Sequence, residues 1–407
     1  MTHRIAWILV CASLALPVWP VVAGTVGSES SIGIESAYNS NPLLLPAADA
    51  RSAESVAILA NLPATYTGGA STLELRPRLR LAATHGAQAL LSDYHYFDGL
   101  WKLTGERNVL AVNADWHRES TLYNKFENSA LSGRNVRRTE VIGSASWRRL
   151  LSERSDTQLR ASFDRVNFGQ NAANLLYSYN YAQAAAQYDR TLSERLQMVL
   201  TAGISRYKLR DYSYQSDNRF VQVGVTGALS EYWLLSAQAG YSRLDGRDTV
   251  TRYQIVVGPN GILQLIPITT VRRSTARTGN YALSLERRAE RLTLSLVASR
   301  DVTPSGLGAL VTQNDLSIGG NFNLTERLSL GATLHGSRLS DALGQLQLAD
   351  RRFYDADVNA SWQWTEHWIL QFQAAINRQR LAASIPIQSG NALNLTVSRQ
   401  FGRVRLN

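Results

Sequence analysis

In the run from Trp233 to Tyr241, one parity carries Trp233, Leu235, Ala237, Ala239 and Tyr241, and the other carries Leu234, Ser236, Gln238 and Gly240. The run from Leu328 to Ser337 repeats the arrangement: Leu328, Leu330, Ala332 and Leu334 alternate with Ser329, Gly331, Thr333, His335 and Ser337. Successive side chains of a strand point to opposite faces, so these period-two runs predict two-faced β-strands. A soluble sandwich alternates too. What points to lipid is the pair of aromatics, Trp233 and Tyr241, at the ends of the apolar face, because such rings collect at the two membrane–water interfaces.

Each run follows a short turn written Leu-Ser/Thr-Glu or a close variant. The turns centre on Glu153, Glu194, Glu231, Glu290, Glu326 and Glu366, with a looser copy at Glu106, at spacings of 47, 41, 37, 59, 36 and 40 residues. A period of about 40 also fits a propeller blade of four short strands. Here each interval holds only two long alternating runs, one leaving the turn and one returning to the next. Two strands, one tight turn and one longer loop make the asymmetry of an outer-membrane barrel.

The alternation predicts strands over 31–38, 54–66, 70–82, 92–104, 108–119, 138–150, 156–168, 177–190, 195–208, 218–229, 232–244, 278–288, 291–301, 313–324, 327–338, 353–364, 367–380 and 392–401. The expected fold is all-β: a transmembrane antiparallel up-and-down β-barrel of about 18 strands, with 16 as the fallback because the first two runs are the weakest and the second contains Pro63. An even number leaves both chain ends on the periplasmic side. In the last run Leu393, Leu395, Val397 and Phe401 share the apolar parity. A final strand ending in an aromatic resembles the C-terminal signal read by the barrel-assembly machinery, an expected partner. The tail from Gly402 to Asn407 and Arg399 on the lipid parity depart from that pattern.

Residues 1–23 read as a secretory signal peptide and 24–407 as the barrel domain. His3 and Arg4 precede the apolar segment Ile5 to Leu16, and Val21-Val22-Ala23 fits a cleavage site. Cys11, the single cysteine, lies inside that signal, so no disulfide and no thiolate site is expected in the mature chain. The 407 residues are 44% hydrophobic with a formal charge of +10, and mean hydropathy is −0.18. No nucleic-acid motif accompanies the positive charge. It points either to outer-membrane lipid, including lipopolysaccharide, and acidic polymers as partners or simply to an arginine-rich composition. The expected location is the outer membrane of a Gram-negative bacterium.

If the apolar parity faces lipid, the other lines the lumen. Arg76, Arg78 and Arg80 then climb one inner face, joined by Lys102, Arg148 and Arg160. Inner-parity acids are Glu74, Asp98, Asp115, Glu140, Asp164, Asp355 and Asp357. These charges either pair across strands and stiffen the wall or form a path favouring anionic solutes. Tyr177, Tyr179 and Tyr181 offer faces and hydroxyls to a sugar ring, or anchor a loop at the interface. Long outer loops are expected at 39–53, 120–137, 169–176 and 245–277. The last contains a hairpin with Gly258-Pro259-Asn260-Gly261 at its turn, which either extends the wall or folds over the mouth. The histidines form no metal-ligand pattern, and no phosphate-binding glycine loop follows a buried strand. The sharpest catalytic candidate is His335 with Ser337, a pair on the lumen parity with no evident third group. Neither a cofactor nor a metal is expected, and the chain does not read as an enzyme.

ESAYNSNPLLLP from Glu35, HRESTLYNKFENSALSG from His117 and the Leu-Ser/Thr-Glu-Arg turns resemble the β-barrel porin family found with exopolysaccharide gene clusters. The resemblance implies an outer-membrane exit conduit for an exopolysaccharide, fed by a periplasmic polysaccharide-export protein. A general or small-solute diffusion porin is the alternative. A non-channel barrel, lipid hydrolase or adhesin, is a third class.

Overall fold

A sheet with an apolar face and a polar face can bury neither in a single flat layer; rolled into a cylinder it leaves no free edge and separates the two faces completely. The computed structural model shows this outcome, and describes residues 25–86, 92–121, 135–169, 176–257, 263–343, 350–381, 385–401 and 404–406. The expected signal peptide, Gly24 and the turn at Gly258–Gly261 lie outside the described residues.

In chain order the strands are β1 (Thr25–Ser28), β2 (Ser31–Asn39), β3 (Ala53–Asn61), β4 (Ala64–Gly68), β5 (Ser71–Gly86), β6 (Tyr94–Thr104) and β7 (Asn108–Ser120). There follow β8 (Arg137–Ser152), β9 (Ser155–Phe168), β10 (Tyr179–Ser193), β11 (Leu196–Leu209), β12 (Tyr214–Ala228), β13 (Trp233–Val257) and β14 (Leu263–Arg288). The last are β15 (Leu292–Pro304), β16 (Leu310–Asn323), β17 (Leu328–Asp341), β18 (Arg351–Gln363), β19 (Trp368–Arg380), β20 (Gln388–Gln400) and β21 (Val404–Leu406). All pairings are antiparallel, and β20 pairs back onto β2, from Ser31↔Gln400 to Asn39↔Ala392, which closes the barrel. β3 and β4 both pair with β5 and are one strand interrupted at Leu62 and Pro63, since proline has no N–H for the ladder. β1 pairs with β4 and β21, so these short segments prolong β2, β3 and β20 beyond small breaks. The wall therefore has 18 staves, as the alternation predicts.

The outward parity is apolar and exposed: Ile34 is 61% exposed, Ile204 59%, Val223 57% and Leu334 57%. Such a belt is stable only against lipid. The inward parity holds the buried polar residues, Arg80, Arg138, Glu140, Asn218, Ser242 and Asn280 among them. The exposed side chains of Leu393, Leu395, Val397 and Phe401 continue the belt on β20. Arg399 on the same parity lies over the rings of Trp368 and Phe401, at 6.0 and 5.6 Å, a cation–π arrangement suited to an interface. Val404–Leu406 pair with β1 in the sheet as β21.

The recurrent turns have a local cause that alternation alone does not show. The backbone N–H of Arg154, Arg195, Tyr232, Arg327 and His367 donates to the hydroxyl of Ser152, Ser193, Ser230, Thr325 and Thr365, respectively, two residues earlier, at 3.2–3.4 Å. A hydroxyl that captures its own backbone reverses the chain in few residues. The residue before each hydroxyl, Leu151, Leu192, Leu229, Leu324 or Trp364, stays exposed at the base of the apolar belt. Thr365 also accepts from Trp368 N at 3.2 Å. Thr365→Ala should lower unfolding stability by about 0.5–1.5 kcal/mol, read from urea unfolding in detergent, while Thr365→Ser retains most of it.

At the opposite end, β13 and β14 stay in register from Trp233↔Arg287 to Val257↔Leu263. Pairing of β12 with β13 stops at Asp248, and that of β14 with β15 starts at Tyr281. Residues 245–257 and 263–277 thus extend the wall as a ribbon, one of the two arrangements left open by the sequence. The chain that turns inward is a different one, Ser305–Ala309 between β15 and β16, which was not among the expected loops.

Candidate functional site: the barrel lumen

The charges of β5 to β9 form a connected network rather than an unpaired cationic ladder. Arg76 pairs with Glu74 on its own strand. Arg78 donates to Asp98 at 2.7 Å and stacks over Tyr96, 5.0 Å from the ring centroid. Arg80, 3% exposed, donates to Glu35 from Nε at 3.0 Å and from the terminal nitrogen at 2.6 Å. His117 bridges Asp98, at 2.7 Å, and Glu140, at 3.4 Å. Arg138, 1% exposed, donates to Glu119 at 2.7 Å and to Glu140 at 2.5 Å. Tyr96 closes the circuit by donating to Glu119.

Period-two alternation puts these side chains on one face, but only the register brings them together. Asp98 lies opposite Asp115, and His117 lies opposite Tyr96 and Glu140. Each arginine of the expected ladder therefore has a carboxylate partner. Pairing across and along strands is what the geometry contains, and the ladder is not a bare positive track. Sequence reasoning missed Glu35, Glu119 and Arg138. Two of these, Glu35 and Glu119, sit in the segments ESAYNSNPLLLP and HRESTLYNKFENSALSG, so the short motifs did hold the signal.

The remaining expected residues are dispersed. Lys102 is exposed near the short-turn end. Arg148 makes a two-pronged bond to Asp156, at 2.9 and 2.7 Å. Arg160 donates to Gln158 at 2.7 Å. Asp164 has one buried oxygen without a hydrogen-bond partner among the described residues. Asp357 accepts from Gln373 at 2.6 Å and Asn359 at 3.2 Å. Asp355 stands opposite His335 in the β17–β18 register. His335 does meet a third group, Asp315, at 3.5 Å. Ser337, however, is 4% exposed and shut away from solvent, which removes the access a nucleophile requires.

The mouth is where the lumen departs most from a simple polar cylinder. Tyr179, Tyr207, Leu244 and Leu310 are fully buried, packed with Phe168, Leu176, Leu307, Leu339 and Phe353. Tyr179 is therefore unavailable to a passing sugar, a correction to the expected tyrosine track: its ring lies 5.2 Å from that of Tyr207, inside this cluster. Tyr177 packs on Tyr212, at 5.0 Å. Only Tyr181 of the three lines the cavity described below.

The segment Ser305–Ala309 is pinned across the mouth. Tyr207 donates its hydroxyl to Ser305 O at 2.8 Å, and Tyr177 N donates to Gly306 O at 2.7 Å. Gly308 has φ +95°, and a Cβ there would come within 2.9 Å of the Tyr177 ring, so glycine is required on both counts. From another side Leu44, at φ 48° and 1% exposed, enters the same cluster. Its carbonyl accepts from Gln379 at 2.8 Å, and Asn41 bonds to Leu45 and Ser389.

Below these inward segments lie two spaces with polar side chains in their walls. One, about 380 Å³, is lined by Glu35, Asn39, Arg80, Tyr94, Gln373, Asn377 and Asn394. The other, about 670 Å³, lies between Asp301–Pro304 and a wall of Gln158, Gln183, Gln187, Gln222 and Gln238, with Asn113 and Arg160.

No protein-family model matches the chain, and no curated protein matches it in sequence. The resemblance to exopolysaccharide-associated barrels thus rests on the short motifs alone. Among solved structures, the chain is similar to OccAB2 of Acinetobacter baumannii, at 11% identity and a TM-score of 0.45 over 92% of this chain and 98% of that one. It is also similar to OpdL of Pseudomonas aeruginosa, at 12% identity and 0.43, over 95% and 99%. OccK5 (OpdH) of the same organism gives 10% identity and 0.46, over 92% and 98%. The barrel assignment stands on the chain's own strand pairing.

Proposed function

We propose that the protein is a passive outer-membrane channel for small hydrophilic solutes. The observation that carries this is the pairing of a polar, water-compatible wall with a mouth narrowed by Ser305–Ala309 and Leu44. Amide, hydroxyl and charged side chains replace a solute's hydration at little cost, and mutual ion pairing keeps any one site from trapping it. The polymer-exit reading fits less well, because an extended chain of sugars must thread the mouth that these apolar residues narrow. For the same reason a periplasmic polysaccharide-export partner has less support than the barrel itself. The test is conductance in planar bilayers together with liposome swelling. Ion-conducting events and uptake of mono- and disaccharides, falling off steeply for longer oligosaccharides, are expected. Sealed liposomes that admit no small solute, or equal passage of long polymers, would overturn the reading.

A further inference from the structure

The outward face changes chemistry at the loop end of the belt. Arg219 of β12, Arg243 of β13 and Arg277 of β14 are direct cross-strand partners in one row, all exposed. Two same-face positions further on, past the Asp245–Thr275 pair, Arg247 stands opposite Arg273. Five staves further round the wall a like row recurs: Arg338 of β17, Arg352 of β18 and Arg380 of β19. Ile204 flanks the first row beside Arg219, the exposed Tyr241 and Val221 lie below it, and Tyr354 and Ile376 lie below the second. Both triads therefore sit just above the apolar belt, at headgroup level, on the side away from the chain termini.

Like charges directly opposite on neighbouring strands are destabilising. Internal neutralisation is incomplete. Asp245 is 3.5 Å from Arg243, and Asp350 pairs with Arg338; Arg219, Arg277 and Arg352 are in no ion pair among the described residues. Three adjacent strands place three guanidiniums over about 10 Å, and guanidiniums bind phosphate in a two-pronged fork. We infer that each arginine triad is a binding site for a lipid with a phosphorylated sugar headgroup in the outer leaflet. This goes beyond the channel reading and uses the outer face of the wall rather than its lumen.

The test uses the full-length protein purified in detergent, with native mass spectrometry to count bound lipid. Bis-phosphorylated lipid A, chemically dephosphorylated lipid A and phosphatidylglycerol are the probes. The parent protein should retain bis-phosphorylated lipid A, and the triple variants R219Q/R243Q/R277Q and R338Q/R352Q/R380Q should each lose part of that complement. Conductance and heat-shifted electrophoretic mobility on the same preparations report the channel and the folded barrel separately. Should a triple variant not fold, the central single variants R243Q and R352Q replace it. Equal retention of dephosphorylated lipid A or of phosphatidylglycerol, or full retention by the variants, would overturn the assignment.

Discussion

Replacing Ser305–Ala309 with a short glycine-serine turn should raise single-channel conductance several-fold. Leu307 and Ala309 are 8% and 1% exposed, and the adjoining Leu310 and Val311 are 0% and 1%. These residues narrow the mouth with packed apolar atoms. Removing the segment takes away the Tyr207–Ser305 and Tyr177–Gly306 hydrogen bonds and opens the wall behind it. The 18-strand ladder does not depend on the segment, so the barrel should still form. A point change, Gly308→Val, acts on the same element differently. It demands a left-handed backbone of a branched residue and drives a side chain into Tyr177, so it should make the open level noisy or heterogeneous. Unchanged conductance in the shortened variant would place the narrowest part of the pathway elsewhere and remove the main support for small-solute selection.

Arg138→Met should destabilise the barrel by about 3–5 kcal/mol, the usual consequence of taking one partner from a buried charge network. Glu119 and Glu140 are 5% and 7% exposed, and both lose their guanidinium. His117 can still face Glu140 and Glu119 keeps the tyrosine hydroxyl of Tyr96, but neither carboxylate retains the charge of Arg138. Arg138→Met combined with Glu119→Gln should recover part of the loss, because the stranded charge is removed with its partner. By contrast Arg76→Ala should cost under about 1 kcal/mol, since that arginine is 62% exposed and screened by water. Urea unfolding, followed by tryptophan fluorescence in detergent, measures all three. A loss near zero for Arg138→Met would mean that water reaches the network freely and that its burial does not govern its energetics.

Much of this molecule was legible without coordinates, and for one physical reason: a strand has a period of two, and a barrel in lipid turns that period into an apolar–polar code. The eighteen expected runs coincide with eighteen staves, and even the proline thought to weaken the second run marks a break between β3 and β4. The turn motifs were visible as repeats, although their cause, a hydroxyl accepting from a backbone N–H two residues on, is a matter of local geometry. Parity likewise separated the charged inner residues from the outer apolar ones before any contact was known.

Partners were beyond the reach of parity. It states which face a residue occupies, whereas contact depends on register and on loops that carry no period. Arg80 finds Glu35 across 45 residues of chain, and Tyr207 finds Ser305 across 98. Tyr179 has the parity of a lumen-lining ring and is nonetheless fully buried, because a segment with no alternating signal folds over it. The two outward arginine triads each come from three separate strands and are contiguous only once those strands pair. The sequence by itself determined the closed wall and its two faces, since side-chain alternation is a property of each strand alone. The tertiary structure decided the width of the mouth, the neutralisation of the inner arginines and the clustering of the outer ones, because each depends on distances between residues remote in the chain.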